Sequence, residues 1–171
     1  MGEDVRADRS DIGIGVFANK DFAVGEYILT FRGPIVPDSP NGGADEANLI
    51  QIDIGQYVRP EPVGVYVNHS CRPNACLRSG LALFALRPIR RNDEIRFDYS
   101  TCIFHDPWTM PCLCGEPCCR ELVADFASLP YRLRDGYMEL DAVPEFIARH
   151  YRLDNDRPAS PWRASALRVA H

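Results

Sequence analysis

The stretch "YVNHSCRPNA", residues 66–75, sets Asn68, His69, Ser70 and Cys71 in a row behind the apolar run Val65-Tyr66-Val67 and ahead of Pro73. Asn68-His69-Ser70 has the form of an N-glycosylation acceptor. The same residues suit a nucleophile site, a metal site or a tight polar turn. The first residues, "MGEDVRADRSD", are polar and acidic and offer no apolar core for a signal peptide. Gly2 is not followed by the Ser or Thr at position 6 that myristoylation needs, since that residue is Arg6. No apolar run approaches the length of a membrane span. The expected location is intracellular, cytoplasmic or nuclear, without a membrane, and this removes the glycosylation reading. Ser70 lacks a Gly-x-Ser-x-Gly elbow, so a structural role is expected for it.

The remaining composition is that of one globular domain with an appendage: 171 residues, 46% hydrophobic and 25% charged, enough for a core without disulfide staples. A net charge of -5 argues against broad binding to nucleic-acid phosphates and suits a basic protein or peptide partner. Of the 19 basic residues only Lys20 is a lysine. Codon bias toward Arg is the simplest explanation.

Around the opening stretch the chain is punctuated for short strands. "GIGVFANKDFAVGEYILTFRGPIV" is rich in β-branched and aromatic residues between glycines. Residues 37–47 read as a loop, 48–59 as two strands flanking Gly55, and 75–78 and 81–87 as two more. A turn at Arg91-Asn92-Asp93 leads into "EIRFDY", where Ile95 and Phe97 alternate with Arg96 and Asp98. From residue 120 the period changes: "CRELVADFASL" spaces Leu122, Val123, Phe126 and Leu129 for a helix. "VPEFIARHYRL" predicts a second helix with Pro144 at its start. The tail from 155 is rich in Pro, Ser and Ala and reads as partly unstructured. The expected fold is mostly β (α+β), divided into a polar lead (1–10), a β domain (11–100), a cysteine-rich segment (101–121) and a helical extension with a polar tail (122–171).

Seven cysteines in an intracellular chain point to metal or reactive thiols before disulfides. "CLCGEPCC" carries Cys112, Cys114, Cys118 and Cys119. Thiols spaced by one and then four residues, bent by Gly115-Glu116-Pro117, can wrap three corners of a zinc tetrahedron. The fourth donor is either Cys118, which as the neighbour of Cys119 is poorly placed, or a remote residue. Cys71 is the leading remote candidate, with Cys76 and Cys102 as alternatives. No Cys-x-x-Cys lies beside a βαβ pattern, which disfavours a thiol-redox protein.

Taken in order, these motifs resemble those of the SET-domain protein lysine methyltransferases with a post-SET zinc segment. "GIGVFA" (13–18) resembles the family's glycine-rich loop, "VNHSCRPNA" its Asn-His-Ser-Cys-x-Pro-Asn signature, "DEIRFDY" (93–99) its second signature, and "CLCGEPCCR" its post-SET spacing. The resemblance covers roughly residues 11–121. It implies a fold of small β-sheets in which the two signatures cross like a pseudoknot, followed here by C-terminal helices. It implies S-adenosylmethionine as methyl donor and a protein lysine as acceptor. The zinc ligands it implies are Cys71, Cys112, Cys114 and Cys119, with Cys118 left out. Tyr99 would be the catalytic residue, and Phe31, Phe97 and Tyr66 would line the lysine channel. The cofactor would lie against Gly13, Ile14, Gly15, Asn68, His69, Tyr99 and Leu113.

Methyl transfer to lysine first needs the neutral amine, which at pH 7 costs roughly 4–5 kcal/mol for an ordinary lysine. An apolar channel and a nearby sulfonium both disfavour the ammonium, and alignment supplies the rest. The chain departs from the family pattern at Phe31, where a Tyr is usual, at Thr30, where an acid is usual, and at Val65-Tyr66. Phe31, together with the short insert between 37 and 60, favours an alternative reading, a catalytically weak SET-like zinc module that binds a partner protein. Phe97 lies two residues before Tyr99, on the same strand face. As a Phe rather than a Tyr it leaves room for an already methylated amine. Products beyond monomethyl-lysine are therefore expected, and Phe97→Tyr should shift them toward the monomethyl form in mass spectra. A mono-only product from both forms would overturn this.

Overall fold

The computed structural model describes residues 4–37 and 48–156. Val5–Ser10 (β1) and Gly13–Ala18 (β2) form an antiparallel pair, with Val5 opposite Ala18 and Ser10 opposite Gly13. The residues expected to be a polar lead thus supply an edge strand. One solvated face allows such a strand to be polar, and Val5 alone of the six is buried. Next come Tyr27–Thr30 (β3), Ile35–Pro37 (β4), Ile50–Asp53 (β5), Gln56–Val58 (β6), Asn68–His69 (β7), Ala75–Arg78 (β8), Ala82–Ala85 (β9) and Glu94–Phe97 (β10). The strands expected at 48–59, 75–78, 81–87 and 94–97 are all present. Most of the loop expected at 37–47 falls outside the described residues.

The strands form small sheets in the orders β1-β2-β10-β7, β3-β9-β8 and β4-β6-β5. Among the described strands, β7 and β10 are the single parallel pair, with Arg96 opposite Asn68 and Phe97 opposite His69. A parallel pair needs a long connection. Here the intervening chain makes the β8-β9 hairpin of another sheet before returning, so the two segments cross. Around this crossing Val16, Leu77, Leu83, Ile89 and Ile95 are essentially inaccessible and form the main core.

The expectation of a helix from residue 120 is not met. Leu122–Val123 (β12) pairs with Met110–Pro111 (β11), Met110 facing Val123, and Phe126–Ser128 forms a single 3-10 turn. Asp125 caps that turn, its carboxylate accepting from the Ser128 N–H at 3.0 Å. Helical spacing misled here because Val123, Phe126 and Leu129 reach buried positions without a helix. The helices are Tyr131–Glu139 (α1), beginning immediately after Pro130, and Glu145–Asp156 (α2), which follows Pro144 as expected. They pack a second core of Phe104, Phe126, Tyr137, Val143, Ile147 and Tyr151. Gln51 ties this core to β5: its amide donates to the Phe104 carbonyl at 3.1 Å and accepts from the Phe104 N–H at 2.7 Å. The tail from 157 lies outside the described residues.

Candidate functional site

The crossing presents different chemistry on its two sides because β10 turns alternate side chains to opposite faces. Phe97 lines a cavity of about 470 Å³ together with Phe31, Val67, Tyr57, Tyr99 and Trp108. Glu94 and Arg96 line a second hollow of about 290 Å³ with Ser70, Asn74 and Glu116. The larger cavity carries an aromatic run, with ring centroids 5.6 Å apart for Phe31 and Phe97 and 5.0 Å for Phe97 and Tyr99. Tyr66 is not among the described residues lining it. Val65 and Val67 face the space instead, and Tyr66 packs half-buried against the main core.

Tyr99 is held from two directions. Its hydroxyl donates to the Val67 carbonyl at 2.8 Å, and its backbone N–H donates to Nδ1 of His69 at 3.1 Å. Burial, with the charges of Cys102 and Glu94 adding to it, pushes the Tyr99 phenol far above its ordinary range. It is therefore a neutral donor, unsuited to act as a base. Asn68 places both amide hydrogens within the protein, on the Ile14 carbonyl at 3.0 Å and on Glu94 at 2.8 Å. Burial alone would raise the Glu94 carboxyl, but Arg96 and Asn68 hold it below its usual range. Gly15 makes room for that carboxylate, since a Cβ there would lie 2.3 Å from Glu94 Oε1. Gly13 adopts a φ of 123°, a left-handed conformation that side chains resist. The glycine loop is thus shaped by its fit to Glu94 as well as by the space around Ile14, which is half exposed.

The second element is a knot of thiols at the end of β7. The Sγ atoms of Cys71 and Cys112 are 3.8 Å apart, about the edge of a tetrahedron of thiolates around zinc. Donor atoms of His69, Cys71, Cys112 and Cys114 all lie within 4.8 Å of one another. Cys119 is not part of that group; its thiol donates to the Cys112 carbonyl at 3.9 Å. Backbone N–H groups aim at every sulfur. Arg120 donates to Cys71 at 3.4 Å and Glu121 to Cys119 at 3.4 Å; Cys114 donates to Cys112, while Cys71 and Glu116 donate to Cys114. Burial pushes the Cys71 thiol up to about 11 and Cys112 further still. Burial acts the same way on Cys114, but the N–H groups of Cys71 and Glu116 together with the neighbouring thiols outweigh it and bring that thiol to about 7. Such a pocket keeps its sulfurs anionic when a cation sits among them. Cys118 is exposed, its thiol near the Cys71 carbonyl at 3.8 Å. Cys76 packs in the second core, and Cys102 donates to the Tyr99 carbonyl at 3.2 Å. Leu113, between two of the clustered cysteines, stands 76% exposed.

Residues 13–100, just over half of the chain, match the SET domain family. The chain belongs to that family. The SET domain fold also agrees with a solved structure, the methyltransferase domain of human Histone-lysine N-methyltransferase SETMAR. The TM-score is 0.56 at 21% identity, covering 68% of this chain and 56% of that one. Among curated relatives, Histone-lysine N-methyltransferase ash1 of Drosophila melanogaster is 29% identical over 132 residues. The H3 lysine-36 specific Histone-lysine N-methyltransferase of Candida albicans is 41% identical over 130. The alignments take in 67% and 63% of this chain but only 6% and 15% of those proteins, so the chain spans a small part of their length.

Within this SET domain, one carboxylate not singled out from the sequence organises the site. Asp98 is 1% exposed. It accepts two bonds from the Arg120 guanidinium, at 2.8 and 2.6 Å, one from the Tyr137 hydroxyl at 3.0 Å, and one from the Ser100 N–H at 3.1 Å. The available signal was its place as a charge between buried aromatics in "FDY", together with an Arg directly after Cys119. Arg120→Met leaves that carboxylate without its cation. A loss of about 3–5 kcal/mol is expected in urea unfolding, whereas Arg72→Met, on the exposed surface, should be neutral.

Proposed function

We propose that this chain is an S-adenosylmethionine-dependent protein lysine N-methyltransferase. The observation that carries the reading is the Tyr99 phenol, fixed on the Val67 carbonyl where the aromatic cavity meets the crossing. A lysine side chain entering beside Phe31, Phe97 and Val67 leaves water, which favours its neutral, nucleophilic form. Among the described residues lining the cavity there is no lysine or arginine, and deprotonation would rest on this desolvation. S-adenosylmethionine supplies an electrophilic methyl on a sulfonium. On the cofactor side, Asn68 would offer its free Oδ1 oxygen, since both amide hydrogens are engaged. The Gly13–Gly15 loop and the backbone of His69 would supply close contacts, and exposed Leu113 an apolar cover. Tyr99 would form the wall between the two sides and hold the amine in line with the methyl.

The thiols of Cys71, Cys112, Cys114 and Cys119 would hold zinc. Its part would be structural, fastening the loop that bears Leu113 to the end of β7. The substrate would be a lysine-bearing, basic protein or peptide, which the net charge of -5 suits. The intracellular setting, cytoplasmic or nuclear, also belongs to this reading. Among the described residues no helix is long and apolar enough to cross a membrane. Lys20, the one lysine of the chain, is an unfavourable internal target: Asp4 and Glu26 hold its ammonium at 3.1 and 2.8 Å.

Phe31 favours a second reading, a SET-like zinc module of low activity that binds a partner, because its ring brings no hydroxyl to the position where the family pattern has a Tyr. Calorimetry separates the two. Saturable binding of S-adenosylmethionine is expected, with transfer of labelled methyl to basic proteins that falls about 100-fold in Tyr99→Phe. No binding at high cofactor concentration would rule out the enzyme. Zinc analysis should give one metal per chain, retained in Cys118→Ser and lost in Cys71→Ser, with a lower melting temperature after chelation.

A further inference from the structure

We infer that the His69 side chain is a positioning residue that links the cysteine cluster to the catalytic tyrosine, as a donor to sulfur rather than a metal ligand. His69 is 4% exposed, and both ring nitrogens have definite neighbours. Nδ1 lies 3.1 Å from the Tyr99 backbone N–H, which can only donate, so Nδ1 must present its lone pair. In a neutral imidazole this leaves the proton on Nε2. Nε2 lies 3.3 Å from Cys71 Sγ, and with a proton in between this is an N–H to sulfur bond. The chain of contacts is therefore Tyr99 N–H to Nδ1, and Nε2–H to Cys71 Sγ.

The opposite tautomer has little to recommend it here. A proton on Nδ1 would confront the Tyr99 N–H. The carboxylate oxygen near it, Asp98 Oδ1, is 3.6 Å away and already bonded to Arg120 and Ser100, and the Phe97 carbonyl beside the ring accepts from the Ser70 N–H at 3.1 Å. Although the Nε2 atom is close enough to join the donor cluster, its lone pair is unavailable while it carries the proton. Cys119, whose thiol lies 3.9 Å from the Cys112 carbonyl, would then be the fourth ligand in its place. Removing a hydrogen-bond partner from a ligand typically lowers metal affinity about 10–100-fold. The same ring fixes the backbone of Tyr99, so a disturbance of the thiol cluster reaches the residue that borders the aromatic cavity. This inference rests on reading Cys71 as a metal ligand, not on the methyl-transfer activity.

The test uses the full chain loaded with cadmium-113 and labelled with nitrogen-15. Two-bond proton–nitrogen spectra should show the Nε2–H tautomer of His69, with a small coupling from that proton to cadmium through sulfur. A direct nitrogen–cadmium coupling, or the Nδ1–H tautomer, overturns the relay while leaving the metal reading intact. If the chain takes up no cadmium, the metal reading itself fails and the relay with it. Two variants divide the ring's functions, since an Asn oxygen replaces roughly Nδ1 and a Gln nitrogen roughly Nε2. His69→Asn should release zinc to a chelating dye about 10–100-fold faster. His69→Gln should restore the wild-type release rate but expose the Tyr99 N–H to faster hydrogen exchange. Equal zinc release from both variants would overturn the inference.

Discussion

A carboxylate buried to 1% exposure cannot remain charged unless it is bonded on several sides, and Asp98 imposes this requirement on the whole site. Arg120 reaches it from beyond the cysteines, Tyr137 from α1, and the Ser100 N–H from the 3-10 turn that carries Tyr99. Three stretches of the chain, around residues 98–100, at 120 and at 137, are thereby held at one point. The C-terminal helices, which contribute no residue lining the aromatic cavity, act on it through Tyr137. The cysteine segment is tied to the crossing by Arg120 on Asp98, by Cys112 against Cys71 and by the Arg96 guanidinium on the Cys114 carbonyl.

The crossing gives the site its asymmetry. Because β10 alternates its side chains, the same four residues deliver the Phe97 ring to one hollow and a paired Glu94 and Arg96 to the other. A reaction that joins a desolvated amine to a cationic methyl donor needs two such surfaces back to back. Tyr99, in the 3-10 turn that follows the strand, is bonded to the β7 side through Val67 and His69. The position of its phenol therefore follows from the parallel pairing and not from the rotamer of one side chain.

Much of this was legible in the chain. Alternation and glycine punctuation marked β5, β6, β8, β9 and β10, and Pro144 marked the start of α2. The motifs around Asn68, Tyr99 and the cysteines named the family, and Cys71 was the leading remote donor. The strand at Val5–Ser10 was not legible because an edge strand with one wet face carries almost no hydrophobic signal. The helix expected at 120–129 failed for the opposite reason. Val123, Phe126 and Leu129 have helical spacing, but pairing of Leu122–Val123 with Met110–Pro111 decides their backbone.

The sequence by itself determined which chemical groups are present and how they are spaced locally: three thiols around a Gly-Pro turn, a phenol closing an alternating strand, and a histidine beside a cysteine. Tertiary structure alone decided which of them meet. It put Val65 and Val67, not Tyr66, against the cavity, and brought Arg120 and Tyr137 onto Asp98. It also turned the two nitrogens of His69 toward Tyr99 and Cys71. The reason is physical: side-chain periodicity is a property of neighbours along the chain, whereas the satisfaction of a buried charge or a buried ring nitrogen depends on partners supplied by distant segments.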